Sequence, residues 1–519
     1  MVSSSATFCA FVLLASTGVA LAQEGTTTGV APVVPVAYSC DPNVCKAPAC
    51  MCASKLPPGG LDPKKIPQFI TLTFDDAVNL PLWQVIQNLT AGWKPNPNGC
   101  PHSSTFFVSN QYTDYSYVTA LHSLGHEIAI HTVNHVGNSP AAEIKASQEA
   151  LNAFAGIPMN QLLGFRHPFL AFNGQSFNNL AGLGTFLYDS SMPEDSVASG
   201  FWPYTLDNGP AVGCVSGTCD GPFRYPGLWE IPLNTLVNAD GSENSPMDPN
   251  AVKGGTVGGP TADEIFELLK SNFERHFNGD RVPLGIYLHA ATQVTLPARL
   301  EGFTRFLKWT QDNHYEEVYW VNNQQLLSWM LNPTDLPTSK GSPTLGCNLP
   351  AKDTSNPEIC DGIDNKGDGQ IDVGLVENCA FPPLTYFSTC YGCPSKVPNV
   401  TEAVPTRAGN RALVPAAGCG AGVWDPTKAT CVPVKRPGTA PTPAANLPIP
   451  AGPGKFTPGT APVIPPPAPA PAPGTPGTGG SANGGGNSNN SSANNADSVT
   501  SAFSTLFAAV IGAVAAFGL

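Results

Sequence analysis

Basic residues are scarce in this sequence. Its 519 residues include 25 lysines and arginines against 38 aspartates and glutamates, which gives a formal net charge of −13. A surface that binds nucleic acid or an anionic membrane needs a concentration of basic side chains. The acidic balance therefore argues against both kinds of partner, and it weakly favours a cationic product or polymer.

A glycine-rich phosphate loop is also missing. The clearest strand-like run, residues 68–76, is apolar and β-branched and ends in two carboxylates. A dinucleotide site would need a glycine-rich turn directly after such a first strand, leading into a helix. Its absence excludes a dinucleotide-binding domain of that kind.

The two ends of the chain lack the basic clusters that often flank membrane segments. At the amino end, an apolar run and the small residues Ala20 and Ala22 predict a secretory signal peptide over residues 1–22. At the carboxyl end, residues 502–519 form a short apolar tail after a polar spacer. That order predicts a GPI-anchor signal, with a single membrane helix as the alternative. We expect a secreted protein held at the plasma membrane or cell wall.

Fourteen of the fifteen cysteines lie outside the predicted signal peptide. An even number in an exported chain favours disulfides over thiolate metal sites. The early group (residues 40–100) and the late group (residues 347–431) each contain an odd number of cysteines. Full pairing therefore needs at least one bridge between the two groups, or from one of them to the pair Cys214 and Cys219. The sequence leaves the remaining pairing open. Acceptor sequences for N-glycosylation begin at Asn88, Asn399 and Asn490.

Composition divides the rest of the chain. Residues 23–61 carry four cysteines among proline and alanine and form a lead-in, and residues 62–345 alternate strand-like and helix-like segments. Residues 346–431, rich in Cys, Pro and Gly, indicate a small disulfide module. Residues 432–501, rich in Pro, Gly, Ser and Asn, predict a disordered stalk because they cannot bury enough apolar surface to fold.

The alternation over residues 62–345 predicts a parallel α/β sheet. The number of strands suits a (β/α) barrel, and a doubly wound open sheet is the alternative. The predicted strands are residues 70–74, 105–109, 127–131, 162–165, 185–188, 229–233, 284–288 and 318–321. The predicted helices are residues 116–124, 141–154, 262–277, 296–313 and 323–330.

Two adjacent acids, Asp75 and Asp76, end the first strand, where α/β folds usually place their chemistry. His131 and His135 follow another strand and are spaced so that both rings can share one face. Two histidines and a carboxylate leave coordination positions open, as catalytic metal sites do. We expect Asp76 to be the carboxylate ligand and Asp75 to take a proton from water that the metal activates.

Two further strands end in charged or titratable side chains. Arg166 is expected to orient Asp75 and keep it ionised. His289 follows residues 284–288, and an imidazole that titrates near neutral pH suits a general acid for a leaving group. Taken singly, each residue has a plainer interpretation, namely a surface salt bridge for Arg166 and a core histidine for His289.

Taken in order, these motifs resemble those of the polysaccharide deacetylases, a carbohydrate esterase family that includes chitin deacetylases. The resemblance covers about residues 66–332. The sequences around the motifs are similar to those of the eukaryotic chitin deacetylase branch. It implies a distorted (β/α) barrel and a divalent metal, usually Zn²⁺, or another such as Co²⁺. It implies the following roles: Asp75 as base, His289 as acid, Arg166 as the partner of Asp75, Asp76, His131 and His135 as metal ligands, and Leu288 in the acetyl-methyl pocket.

The chain departs from the family where many members carry an adjacent Asp-Trp pair, whose aspartate tunes the acid histidine. Asp189 or Asp207 is expected to replace that aspartate. Trp202 or Trp229 is expected to wall the substrate groove.

His167 and Phe169, which follow Arg166 in the sequence, are also expected to act on the substrate. The backbone N–H near Phe169 is expected to stabilise the oxyanion. His167 stands where relatives more often have a small residue, and it is expected to touch the substrate.

The late cysteine-rich region carries two weaker resemblances. Acids at short intervals around glycines resemble a calcium loop, with a loop rich in Asx turns as the alternative. Residues 419–431 resemble the end of peritrophin-type chitin-binding modules. The candidate Ca²⁺ ligands are Asp361, Asp364, Asp368 and Asp372.

The function implied is metal-dependent removal of N-acetyl groups from chitin or chito-oligosaccharides at the cell surface. One alternative is a deacetylase or esterase that acts on another acetylated polysaccharide, such as xylan or peptidoglycan. A second alternative is a non-catalytic, carbohydrate-binding wall protein.

Overall fold

The computed structural model describes residues 38–90, 93–197, 200–249, 259–289, 296–347, 377–382, 385–406, 422–425 and 430–433. The predicted signal peptide, the anchor tail and the candidate calcium ligands Asp361, Asp364, Asp368 and Asp372 lie outside these residues. Among the described helices, none combines the length and the apolar character needed to cross a membrane.

Nine strands and eight helices make up the main body in the described part of residues 62–345. The strands are β1 Gln68–Asp76, β2 Thr105–Val108, β3 Glu127–Ile130, β4 Gly164–Phe165, β5 Tyr188–Asp189, β6 Tyr204–Leu206, β7 Tyr225–Glu230, β8 Leu284–Leu288 and β9 Val318–Trp320. The helices are α1 Leu80–Thr90, α2 Tyr115–Ser123, α3 Ala141–Ala155, α4 Gly174–Leu183, α5 Ala262–Asn278, α6 Pro297–Asn313, α7 Asn323–Leu331 and α8 Leu336–Ser339. The predicted strands and helices are present, most of them with shifted ends, whereas the sequence pattern does not predict β6, α1, α4 or α8.

The strands form one sheet in the order β6-β7-β5-β4-β3-β2-β1-β8. Every neighbouring pair is parallel except β6 and β7, and β9 pairs in parallel with the first residues of β1. Because parallel strands end at the same edge, the residues that follow β1, β3, β4 and β8 are brought to one side of the sheet.

Side chains join the two ends of this sheet. Asn234, which follows β7, accepts a hydrogen bond from the Gly285 N–H at 3.0 Å, and its own N–H donates to the Tyr287 hydroxyl at 3.0 Å. Along β1, Phe74 packs outward into the core shared with the helices, whereas Phe69 packs inward against Trp202. The sheet is therefore curled into an incomplete barrel, which confirms the predicted distorted (β/α) barrel.

Five disulfides lie in the described residues. They are Cys40–Cys52, Cys45–Cys50, Cys100–Cys347, Cys214–Cys219 and Cys379–Cys393. Cys100–Cys347 confirms that a bridge links the early cysteine group to the late one. The disulfide-bonded lead-in runs along β6, where the backbones of Met51 and Thr205 are hydrogen-bonded at 2.9 Å.

A hairpin from the late cysteine-rich region packs on the barrel. Its strands are β10 Glu377–Phe381 and β11 Thr385–Thr389. Phe387 packs edge-on against Tyr115 of α2 at 5.1 Å, and the Thr389 hydroxyl donates to the Phe154 carbonyl at 2.6 Å. A second pair, β12 Gly422–Asp425 and β13 Thr430–Pro433, is also described.

Candidate active site

The candidate site lies where β1, β3, β4 and β8 end. Asp76 is the last residue of β1 and has a φ of 80°, and Thr132 and His135 after β3 have φ values of 68° and 54°. Left-handed backbone is unfavourable for residues with a side chain, and such residues cluster at functional sites. Three of them around one point mark this edge of the barrel.

Asp76, His131 and His135 come together in the geometry of a metal site. Asp76 Oδ1 lies 3.0 Å from His135 Nε2 and 3.8 Å from His131 Nε2. One ligand atom from each of the three residues lies within 4.8 Å of the others. Two histidines and one carboxylate match the donor set of an open, catalytic divalent site.

The protonation of His131 fits this role. Its Nδ1 lies 2.8 Å from the Arg166 carbonyl, which can only accept, so Nδ1 carries the hydrogen and Nε2 is left with a lone pair. Burial lowers the pKa of His131 to about 4. The buried Nε2 has no hydrogen-bond partner among the described residues. A neutral ring with an unsatisfied nitrogen aimed at Asp76 fits a divalent ion.

Asp76 is ionised at neutral pH. Burial raises its pKa, but the close contact with His135 and the charges of the other histidines lower it to about 2. The structure therefore supplies an anionic donor in Asp76 and a neutral donor in His131.

Arg166 holds Asp75 in a buried ion pair. Arg166 Nη1 donates to Asp75 Oδ1 at 2.6 Å and to the Thr73 hydroxyl at 2.9 Å. The rest of the guanidinium is fixed by the Ser190 carbonyl and hydroxyl, at 2.6 and 2.9 Å, and it lies 4.0 Å from the centre of the Phe107 ring. Asp75 Oδ2 faces the site, 3.9 Å from His131 Nε2. The Arg166 side chain leaves Asp75 one carboxylate oxygen directed at the reaction centre.

His289 faces Asp76 from the end of β8. Its Nε2 lies 4.0 Å from Asp76 Oδ2, and its Nδ1 lies 2.6 Å from Asp248 Oδ2. Burial lowers the pKa of His289, but the hydrogen bond to Asp248 and the charges of three carboxylates raise it to about 9. The ring is therefore protonated at neutral pH, as a general acid must be.

Asp248 is the residue that sequence reasoning missed, and the assignments of Asp189 and Asp207 to this role are wrong. Asp248 is held beside β8 because its N–H donates to the Tyr287 carbonyl at 3.0 Å. Asp207 instead accepts the Gly227 N–H at 3.0 Å, between β6 and β7. No strand or helix pattern marks Asp248 in the sequence.

Asp189 belongs to a second buried pair below the site. Its carboxyl group is hydrogen-bonded to that of Glu230 on the neighbouring β7. Burial raises the pKa of Asp189 to about 7 and that of Glu230 well above its usual range, so the two groups share a proton. Ser191 connects this pair to the β4 loop, because its hydroxyl donates to Asp189 and accepts the His167 N–H, at 2.9 and 2.8 Å.

Four predicted substrate contacts are not available at the surface. Trp202 is buried and stacks on Trp329 at 5.7 Å in the barrel interior. Trp229 is also buried in that interior, so neither tryptophan walls a groove. Leu288 is buried in the outer core, and His167 is buried with its Nδ1 3.0 Å from the Ser139 hydroxyl, so neither offers a surface to substrate.

Phe169 does reach the site. Its side chain is 72% exposed, and its ring lies 4.4 Å from the His135 ring. It follows β4 with a φ of 60°. Phe169 is therefore available to a ligand at the metal-type centre.

Glu143 is a second residue that the sequence did not reveal. One of its carboxylate oxygens accepts the N–H groups of Val133 and Asn134, at 3.1 and 3.0 Å, and the other accepts the Asn134 amide at 2.8 Å. Glu143 lies in the first turn of α3 and is buried. It fixes the backbone between His131 and His135.

The chain is similar to known proteins over more than half of its length. The chain is 31% identical over 316 residues to chitin deacetylase 8 of Bombyx mori, which covers 58% of this chain and 81% of that protein. It is 31% identical over 314 residues to chitin deacetylase 1 of Bombyx mori, and this match spans 58% of each chain. No family model matches the chain.

The chain also resembles two solved structures over about half of its length. A putative polysaccharide deacetylase from Mycobacterium smegmatis matches with a TM-score of 0.37 and 18% identity, covering 54% of this chain and 95% of the other. The chitin deacetylase of the fungal pathogen Colletotrichum lindemuthianum matches with a TM-score of 0.26 and 13% identity, covering 52% of this chain and 89% of the other.

Proposed function

Since the chain belongs to the chitin deacetylase-like polysaccharide deacetylases, we propose that it hydrolyses the N-acetyl groups of chitin or of chito-oligosaccharides. One observation supports the proposal most strongly. A base (Asp75), an acid (His289) and three possible metal ligands lie together where the parallel strands end. The chain is a deacetylase hydrolase. That chitin is its substrate and that a divalent metal is its cofactor are our proposals.

Asp76, His131 and His135 would hold the ion, Zn²⁺ or another divalent metal such as Co²⁺. When bound, such an ion polarises an amide carbonyl and lowers the pKa of a water molecule. Asp75 takes the proton of the attacking water through Oδ2, because Arg166 engages its Oδ1.

His289 supplies the second proton. Its Nε2 faces Asp76, and Asp248 engages its Nδ1 at 2.6 Å, so the Nε2 hydrogen is directed to the leaving amine. The backbone N–H near Phe169 is proposed to stabilise the oxyanion. A base and an acid on two separate side chains of the cluster suit a reaction that takes one proton and returns another.

Acetate release from the hexamer of N-acetylglucosamine tests this function. The wild-type protein is expected to release acetate, and both Asp75→Asn and His289→Ala are expected to lower kcat by at least about 100-fold. Asp207→Asn is the matched control, because it alters a carboxylate away from the site. Release that persists unchanged in the Asp75→Asn, His289→Ala double variant would remove this mechanism.

We further infer that the protein is exported, glycosylated and tethered by a GPI anchor. The support is the signal-like first 22 residues, the apolar tail, the three glycosylation sequences and the disulfides. Phospholipase C specific for phosphatidylinositol is expected to release the protein from intact cells. The calcium site at Asp361, Asp364, Asp368 and Asp372 is proposed on sequence spacing alone, and Ca²⁺ titration of the full chain tests it.

A further inference from the structure

Exposed apolar side chains follow four neighbouring strands at the edge that carries the site. One residue comes after each of β1, β2, β3 and β4. We call these residues the apolar rim: Leu80, Tyr112, Val136 and Phe169. Exposed apolar surface rimmed by polar residues marks ligand grooves and interaction sites.

Tyr112 is the most exposed aromatic residue of the rim. Its side chain is 79% exposed, and its φ is 65°. Its loop is nonetheless firmly held, because the Gln111 N–H donates to the Val133 carbonyl at 3.0 Å and the Thr113 hydroxyl donates to the Ser109 carbonyl at 2.6 Å. A hydrogen-bonded turn therefore holds the ring in place and exposed to solvent, in a backbone conformation that is unfavourable for a tyrosine.

Phe169 makes the rim continuous with the catalytic centre. Its ring contacts that of His135, and a side chain at Gly137 would come within 3.5 Å of Phe169 Cδ2 and 3.2 Å of the Pro168 carbonyl. The loop after β3 therefore passes close beneath the Phe169 loop. The loop that carries Tyr112 is also joined to the loop after β3, because the Asn110 and Gln111 N–H groups donate to the Thr132 and Val133 carbonyls at 3.2 and 3.0 Å.

We propose that Tyr112 stacks on a pyranose ring of the polysaccharide, next to the sugar unit that is deacetylated. The ligand class is an N-acetylhexosamine chain, because a pyranose presents an apolar C–H face to an aromatic ring and hydroxyl groups to neighbouring amides. The inference rests on the proposed function and adds a subsite to it. Because exposed aromatic rings flank the loop that carries His131 and His135, a sugar chain held at the centre fits this surface better than a protein partner.

Kinetics on short and long substrates test the subsite. For Tyr112→Ala, KM for the hexamer of N-acetylglucosamine is expected to rise about tenfold while kcat at saturation changes less than about twofold. The preference for hexamer over dimer, taken as the ratio of the two kcat/KM values, is expected to fall. Tyr112→Trp is expected to restore the hexamer KM, because it keeps an aromatic face.

The matched control is Tyr315→Ala, which removes a half-exposed tyrosine just before β9, at the opposite edge of the sheet. Zinc content and thermal unfolding of each variant establish that the fold is intact. A hexamer KM unchanged by Tyr112→Ala, or one that the Trp variant fails to restore, overturns the inference. So does an equal loss on dimer and hexamer.

Failure of the proposed function is distinguished by binding. Hexamer affinity is measured by calorimetry in the Asp75→Asn background, with and without Tyr112→Ala, so that turnover does not enter. If the wild-type protein releases no acetate, the proposed function fails, and the calorimetric comparison still decides the subsite. Weaker binding upon Tyr112→Ala supports it, and equal binding, as a protein-docking role for Tyr112 would give, overturns it.

Discussion

Asp248 accepts two hydrogen bonds from His289, one from the backbone N–H at 2.8 Å and one from Nδ1 at 2.6 Å. This double contact fixes the ring orientation and favours its protonated form. The two residues are 41 positions apart in the sequence and meet because Asp248 lies alongside β8. The acid of the proposed reaction is therefore set by a loop and not by a strand.

Asp248→Asn is expected to shift the pH dependence of kcat/KM. Asp248 helps raise the pKa of His289 to about 9, so the acid is protonated below that pH and activity falls as pH rises through it. Removing the carboxylate lowers the pKa toward its ordinary value of about 6.5, which moves the alkaline limb of the profile to lower pH. A pH–rate profile of acetate release measures this. The control Asp207→Asn is expected to leave the alkaline limb in place, and an alkaline limb that also stays in place in Asp248→Asn would contradict the assignment.

Glu143→Ala is expected to weaken metal binding without touching a ligand. It leaves the N–H groups of Val133 and Asn134 without their acceptor, which costs about 1–3 kcal/mol of unfolding free energy and about 10–100-fold in metal affinity. Chemical unfolding and zinc competition measure the two effects. Glu149→Ala on the same helix removes an exposed i,i+4 pair with Lys145 and is expected to change the stability by less than about 0.5 kcal/mol. Equal behaviour of the two variants would rule out a special role for Glu143.

Glu230→Gln is expected to flatten the pH dependence of stability. Burial raises the pKa of Asp189 to about 7 and raises that of Glu230, so this pair favours the folded state most below the unfolded pKa values near 4. That contribution is lost as pH rises toward 7 and beyond, because the unfolded chain releases its protons first. With glutamine at position 230, Asp189 accepts a hydrogen bond from the amide, and this is expected to lower the pKa of Asp189 toward its ordinary value.

Urea unfolding at about pH 5 and pH 8 measures this difference, with Glu316→Gln as the exposed control. The loss of stability between the two pH values is expected to be smaller in Glu230→Gln than in the wild type and unchanged in Glu316→Gln. If the free energy of unfolding falls as much between the two pH values in Glu230→Gln as in the wild type, the shared proton does not contribute to the pH dependence.

The site residues that could be predicted from the sequence are those at the ends of strands. Asp75, Asp76 and His289 directly follow apolar runs, and parallel strands deliver such residues to a common edge. His131, His135 and Arg166 follow in the same way. The barrel was predictable for the same reason, because buried parallel strands give long apolar runs.

Asp248 and Glu143 could not be found in this way. Asp248 lies in an irregular loop whose position depends on the pairing of Met247 with Tyr287 of β8. Glu143 has the pattern of an ordinary acid in the first turn of a helix. The burial of Trp202 and Trp229 was also hidden, because an aromatic residue inside a barrel and one in a groove look alike in sequence. The antiparallel β6 is three residues long and gives too little periodicity to detect.

The metal centre is the claim on which the rest depends. The most direct test is a zinc titration of chelator-treated protein, in which bound zinc and acetate release from the hexamer are measured on the same sample. The account predicts that activity rises with zinc and saturates at about one ion per chain, and that His135→Ala neither retains zinc nor releases acetate, whereas His122→Ala on α2 does both. Full acetate release by protein that holds no divalent ion, or by His135→Ala, would contradict it.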